Sequence, residues 1–175
     1  MVLLVCGEND LAEGTSVAAT FARYSSLVDT VRAAGARVIY MGTKPEPKST
    51  SLHAEYVRYD QKIRELATSL LAVRRRGPRT LDESAGRVHG SFLRSAAHAS
   101  GGAARRQAGG GDPPLTMVDV YNGFEALVPS NPASLYASDG LHLSTEGYAY
   151  WETWAATALA DPSCAEWLGG ACVQR

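Results

Sequence analysis

The chain opens on an apolar run, VLLVC at residues 2–6, with β-branched Val2 and Val5 and with Gly7 as its stop. An unbroken apolar run of that length predicts a fully buried strand. From Thr15 to Ala34 the period changes, and Val17, Phe21, Tyr24, Val28 and Val31 recur at steps of three and four. This spacing predicts a helix with one apolar stripe, ended by Gly35, since glycine takes the left-handed cap freely. ARVIYMG at 36–42 predicts the next buried strand. The two prolines of the following TKPEPKS exclude a helix or an inner strand there. Leu52, Tyr56, Tyr59, Ile63, Leu66 and Leu70 mark a second helix from about Ser51 to Ala72, and LTMVDVY at 115–121 predicts a third strand. A last helix starts near Ser144, a plausible N-cap, and runs through Trp151 and Trp154 to about Ala160.

Strand and helix alternating in this way predict an α/β fold of parallel βαβ units. In such sheets the working groups stand on loops at the carboxyl ends of the strands. GENDL at 7–11 and the stretch from YNGF to DGLHLS both fall there, so residues 7–10 and 139–142 are expected at one rim.

Residues 73–114 break the plan. They are rich in Arg, Gly, Ala and Ser, with Phe92 as their only aromatic residue, and carry eight Arg against Asp82, Glu83 and Asp112. So little apolar surface does not offset the entropy of ordering, and a helix-to-strand loop normally needs only a few residues. We expect a disordered insertion. It is basic by five charges while the remainder is acidic by six, which leaves a formal net charge of −1 for all 175 residues. The net charge therefore gives no whole-chain case for nucleic acid or an anionic membrane.

No stretch approaches the roughly 18 apolar residues of a membrane span, and MVLLVC lacks the basic flank of a signal peptide. Cys6 falls within the first strand as a small apolar residue. Cys164 and Cys172 bracket CAEWLGGAC in a short C-terminal tail, 161–175, either as one disulfide or as two unlinked thiols.

Two strings carry chemistry. In SDGLHLSTEGY at 138–148, Asp139 and His142 stand three apart on a loop entering a helix, within reach of one another. A carboxylate so placed fixes the tautomer of the imidazole and stabilises its protonated form. In CGENDL, Gly7 ends the strand, and Asn9 offers an amide donor where a developing oxyanion would be held. Asp10 is expected to brace the turn through backbone hydrogen bonds, as Asx turns do. Alone, the Asp139–His142 pair reads first as a structural turn, and the CGENDL string fits a capping Asn–Asp turn equally well.

Together, in this order and at the ends of βα units, GEND and DGLH resemble blocks of the GDSL or SGNH hydrolase family. GEND resembles the GxND block, whose Asn donates to the oxyanion hole, and DGLH the DxxH block, whose His is the general base oriented by its Asp. IYMGTKPEP and VDVYNGF resemble the intervening segments of lysophospholipase-like members. The resemblance covers 2–72 and 115–160 and implies a partial flavodoxin-like, three-layer domain over 1–160. About three of the family's five parallel strands are expected. It assigns His142 and Asp139 as catalytic, and Asn9 and Gly7 as oxyanion-hole residues.

The family's nucleophilic serine belongs to a Gly-Asp-Ser block after an earlier strand, which would precede residue 1. Every serine of this chain follows Asn9. Ser91, in HGSF, lies in the basic insertion and is rejected as a nucleophile. Without the preceding strands, the strand at 2–6 would present a bare apolar edge. The implied activity is serine-dependent carboxylic ester hydrolysis on a small-molecule ester without a cofactor, in a chain lacking its serine and so inactive as it stands.

The alternative is a non-catalytic relative that binds an acyl or carbohydrate ligand. A weaker one is an interaction protein whose basic arm recruits RNA or anionic lipid. No His or Cys pair has metal-site spacing, no phosphate-binding glycine loop is present, and aromatics do not interleave with the basic stretch. No metal, nucleic-acid partner or membrane span is therefore expected, and compartment and oligomeric state are left open.

Overall fold

The computed structural model of the protein describes residues 1–75, 114–127, 132–161 and 163–173. A five-stranded, mostly parallel sheet runs in the order β1 (Val2–Leu4), β2 (Val38–Met41), β3 (Leu115–Asp119), β4 (Glu166–Leu168) and β5 (Ala171–Cys172). The first four strands are parallel, with Val2 opposite Val38 and Val38 opposite Leu115, and β5 returns antiparallel to β4. The short α1 (Glu8–Ala12) follows β1. Then come α2 (Val17–Ala33), α3 (His53–Arg75), α4 (Val120–Leu127) and α5 (Thr145–Ala160), with 3-10 turns at Pro47–Leu52 and Pro132–Leu135.

Side chains of a strand alternate between the two faces, and the alternation in β2 and β3 separates two cores. Val38, Tyr40, Leu115 and Met117 pack with Tyr24 and Val28 of α2 and with Tyr56, Tyr59 and Ile63 of α3. Ile39, Met41 and Val118 turn to the other face, under Phe124 of α4 and Trp154, Ala155 and Ala158 of α5. Helices therefore cover both faces of the central strands. The β2 and β3 positions are all buried, including the polar Thr116 and Asp119 of β3.

The first strand departs from expectation. Leu3 and Val5 are 38% and 53% exposed, so β1 is half-buried rather than fully buried. It is the edge strand, and alternate side chains Leu4 and Cys6 pack against the α2–α3 core while Leu3 and Val5 look the other way. Apolar composition marked a strand but not which faces have neighbours.

The third strand ends at Asp119, not at residue 121, because Asp119 starts a helix. Its Oδ1 accepts the Asn122 amide at 3.0 Å, which caps α4 where a continuing strand was expected. Ser144 does cap α5, accepting the Gly147 amide at 3.1 Å. The sheet has five strands rather than about three, because residues 161–175, expected as a tail, contribute β4 and β5. A Cys164–Cys172 disulfide joins the two ends of this hairpin. Of the expected insertion 73–114, residues 73–75 continue α3 and Pro114 leads into β3; the rest, with Ser91, lies outside the described residues.

Candidate active site

Gly7 is the pivot between β1 and α1. Its φ of 113° lies where only glycine is at ease, and a Cβ there would stand 2.3 Å from Cε1 of Tyr59. The buried Tyr59 ring, edge-on to Tyr24 and Tyr40, thus fixes how closely α3 approaches the turn. α1 follows at once, with Asn9 exposed in its first turn. The Asp10 side chain does not brace this turn through backbone amides as an Asx turn would. It takes Arg23 of α2 instead, Oδ1 to Nη1 at 2.7 Å, because Asp10 lies inside the helical turn Glu8–Ala12 rather than at an open Asx turn.

On the loop before α5, Asp139 uses both oxygens. Oδ1 accepts the Leu141 and His142 amides at 2.9 and 3.0 Å, and Oδ2 lies 2.6 Å from His142 Nδ1. The imidazole hydrogen bond first, and the two amides after it, hold the Asp139 carboxyl well below its ordinary range. The His142 side chain is 74% exposed. The loop is tied to the turn after β2, whose Lys48 amide donates to Gly140 O at 3.2 Å.

Asn9 and His142 line one cavity of about 430 Å³. Val5, Ala12, Leu141, Leu143, Tyr148 and Trp151 supply its apolar wall, and Glu8, Lys44, Glu46, Ser49 and Tyr56 its polar one. Gly7 and Asp139 are not in the lining: the first turns the chain into α1, and the second stands behind the imidazole. Ser49 is the lining's serine, at a kink inside the 3-10 turn with φ −108° and ψ 30°.

The polar wall was not legible in the sequence as a site. Lys44 Nζ bonds Glu8 Oε2 and stands 3.0 Å from Glu46 Oε1, and its backbone amide donates to Glu8 Oε1 at 2.5 Å. Tyr56 Oη donates to Glu46 Oε2 at 3.4 Å. Burial raises the Glu8 carboxyl, with Lys44 pulling in the opposite direction. Burial also pulls the Lys44 ammonium down, but Glu8 and Glu46 outweigh it and hold it above its usual value. Burial, then Glu46, pushes the Tyr56 hydroxyl up to about 12. The signal for this cluster was the charge in an otherwise proline-bound loop, KPEP, directly after a buried strand.

Chemically, the arrangement offers an imidazole with Nδ1 bonded to a carboxylate, an exposed carboxamide on the same cavity, and an apolar wall. No group of three His, Cys, Asp or Glu among the described residues could hold a metal ion, and no helix among them is long and apolar enough to cross a membrane. No family model, no curated protein and no solved structure matches this chain.

Proposed function

We propose that the chain carries the general-base and oxyanion half of an SGNH-type carboxylic ester hydrolase on a flavodoxin-like scaffold. The observation supporting this reading is that His142, oriented by Asp139, and Asn9 line the same cavity. In the reaction, a hydroxyl nucleophile gives its proton to His142 Nε2 as it attacks the ester carbonyl. Asp139 holds the ring by Nδ1 and stabilises its protonated form. The Asn9 carboxamide donates to the carbonyl oxygen as it gains charge, and Gly7 sets the turn that presents it. His142 then returns the proton to the departing alcohol oxygen. The apolar wall accommodates the acyl or alcohol part of a small ester.

No Gly-Asp-Ser occurs in the sequence. On this reading the nucleophile comes from outside these 175 residues, and the chain alone turns over little ester. Hydrolysis of p-nitrophenyl acetate and labelling by a fluorophosphonate test this together. We expect neither above background from the chain alone. A fluorophosphonate adduct on Ser49 that disappears in His142→Ala would place the nucleophile within the chain. Turnover that persists unchanged in His142→Ala refutes the site.

A non-catalytic reading has one specific support: the apolar wall of Leu141, Leu143, Tyr148 and Trp151 suits an acyl ligand whether or not a nucleophile arrives. Binding of a medium-chain fatty acid, followed by the Trp151 indole signal, with no hydrolysis under any complementation, favours it.

A further inference from the structure

The β4–β5 hairpin does more than close the sheet. Its turn residues, Gly169 and Gly170, lie against the Trp154 ring, with a Cβ on either coming within 3.0 and 3.2 Å of the indole. Gly123 of α4 presses on the same ring, where a Cβ would stand 2.9 Å away. Trp154 is thus clamped between α4 and the hairpin at the centre of the buried face of α5. Two further ties hold the hairpin: Glu166 Oε1 bonds Arg64 Nε at 2.6 Å, and the Gly169 amide donates to Asp119 O at 3.3 Å. Arg64 also bonds Asp119 Oδ2 at 2.7 Å, so one guanidinium joins α3 to β3 and β4.

The strands themselves are short. β5 has two residues, both exposed, and β4 three. A two-residue pairing at an edge provides little stability by itself. The covalent closure is the Cys164–Cys172 disulfide, eight residues apart. Cys164 is buried, whereas Cys172 belongs to the exposed β5. The bond is therefore reachable from one side.

We propose that this hairpin is a redox-sensitive strap: cleavage of the Cys164–Cys172 bond releases it from Trp154 and, through α5, loosens the His142 loop. The connection is short. α5 begins at its Ser144 cap, two residues after His142, and Ser144 Oγ and N bond the Ser134 and Leu135 carbonyls beneath it. The step is thiol–disulfide exchange with a dithiol. One thiolate attacks the exposed Cys172 sulfur, the Cys164 thiolate leaves and takes up a proton, and the second thiol resolves the mixed disulfide to free Cys172. The two cysteines are reduced by two electrons and the dithiol is oxidised to its disulfide. This inference does not depend on the ester-hydrolase reading, because its readout is conformational.

The test is amide exchange and the His142 ring NMR signal of the full chain before and after dithiothreitol, in a Cys6→Ser background, with Cys172→Ser as the permanently open form. We expect the Gly169 and Val173 amides to exchange at least about tenfold faster on reduction, the signature of a local opening. The His142 signal should shift, and the Met117 amide, which donates to Ala165 O, should lose protection with the hairpin. The β2 amides should stay protected, and reoxidation should restore the hairpin and the His142 signal. Unchanged hairpin exchange overturns the strap. An opened hairpin with an unmoved His142 signal overturns its link to the site. Loss of protection throughout the sheet makes the bond a staple of the whole fold and overturns the proposal as well. If Cys172→Ser does not fold, reduction of the folded, oxidised chain gives the same reading.

Discussion

Asp139 Oδ2 and His142 Nδ1 stand 2.6 Å apart on a loop where both backbone amides of the tight turn also point at Asp139. One carboxylate therefore shapes the loop and orients the ring. It is fully at the surface, so water screens what the contact adds to stability, and its measurable effect is on titration. In His142→Ala the Asp139 carboxyl should move up towards its ordinary range but stay below it, held by the remaining amide donors. Carbon-13 NMR of the side-chain carboxyl reads this directly. Because the folded value is depressed, the stabilisation is present above the unfolded value and fades as pH falls through the folded one. An unmoved Asp139 would mean that the imidazole does not hold it.

Gly7 is constrained twice, by a positive φ and by the Tyr59 ring. Gly7→Ala places a side chain in a region L-residues avoid and into a buried ring. We expect a loss of about 3 kcal/mol in urea unfolding, combining the backbone penalty with overpacking. Tyr59→Leu in the Gly7→Ala background should recover part of it, and no recovery would leave the backbone as the sole cause.

The buried Asp60 makes stability depend on pH. Its Oδ1 accepts Tyr40 Oη at 2.8 Å, and its Oδ2 accepts the Thr43 amide and hydroxyl at 3.0 and 2.9 Å. Burial nevertheless pushes the carboxyl up to about 7, with these hydrogen bonds opposing it. A raised folded value means that the neutral form is favoured in the native state. The contribution is whole below the unfolded value near 4 and is lost as pH rises through about 7. The melting temperature should therefore fall between about pH 4 and pH 7, with Asp60→Asn removing most of that slope. A slope unchanged by Asp60→Asn would assign it elsewhere.

Lys44 is the single cation between two carboxylates, all three largely out of water. Lys44→Met leaves Glu8 and Glu46 facing each other unpaired, at a cost of about 3 kcal/mol. Adding Glu8→Gln should return a good part of it, since it removes the charge left without a partner. If the two changes were simply additive in a double-mutant cycle, the cluster would not be coupled.

Much of this architecture was legible because apolar period encodes burial. β2 is an unbroken apolar run and β3 a mostly apolar one, both lying between two helical layers, and the stripes of α2 and α3 turn to the core they were read for. Ser144 and Gly35 marked a helix start and stop by local chemistry alone. What was missed depends on partners far along the chain. Nothing in VDVYNGF distinguishes strand from helix until Asp119 is seen to cap the turn. The hairpin at 166–172 is too short to announce itself, and it is held by Arg64 and a disulfide rather than by its own periodicity. Asn9 and His142 were identified as types, but Glu8, Lys44 and Glu46 meet only through folding, 36 residues separating Glu8 from Lys44.

The β1 edge supplies the last prediction. Leu3 and Val5 expose apolar surface on an edge strand whose outer side has no neighbour among the described residues. Unpaired strand edges with exposed apolar side chains recruit other chains, and a lysine on such an edge opposes this. Val5 also borders the cavity, so Leu3→Lys is the cleaner probe. Light scattering across a concentration series should show association of the wild-type chain and markedly less of Leu3→Lys, with the melting temperature little changed because Leu3 packs on only one side. Equal association of the two would move the sticky surface away from β1. The same substitution should also weaken any strand that pairs here to deliver a nucleophile, so lost complementation without lost stability would locate the entering strand on this edge.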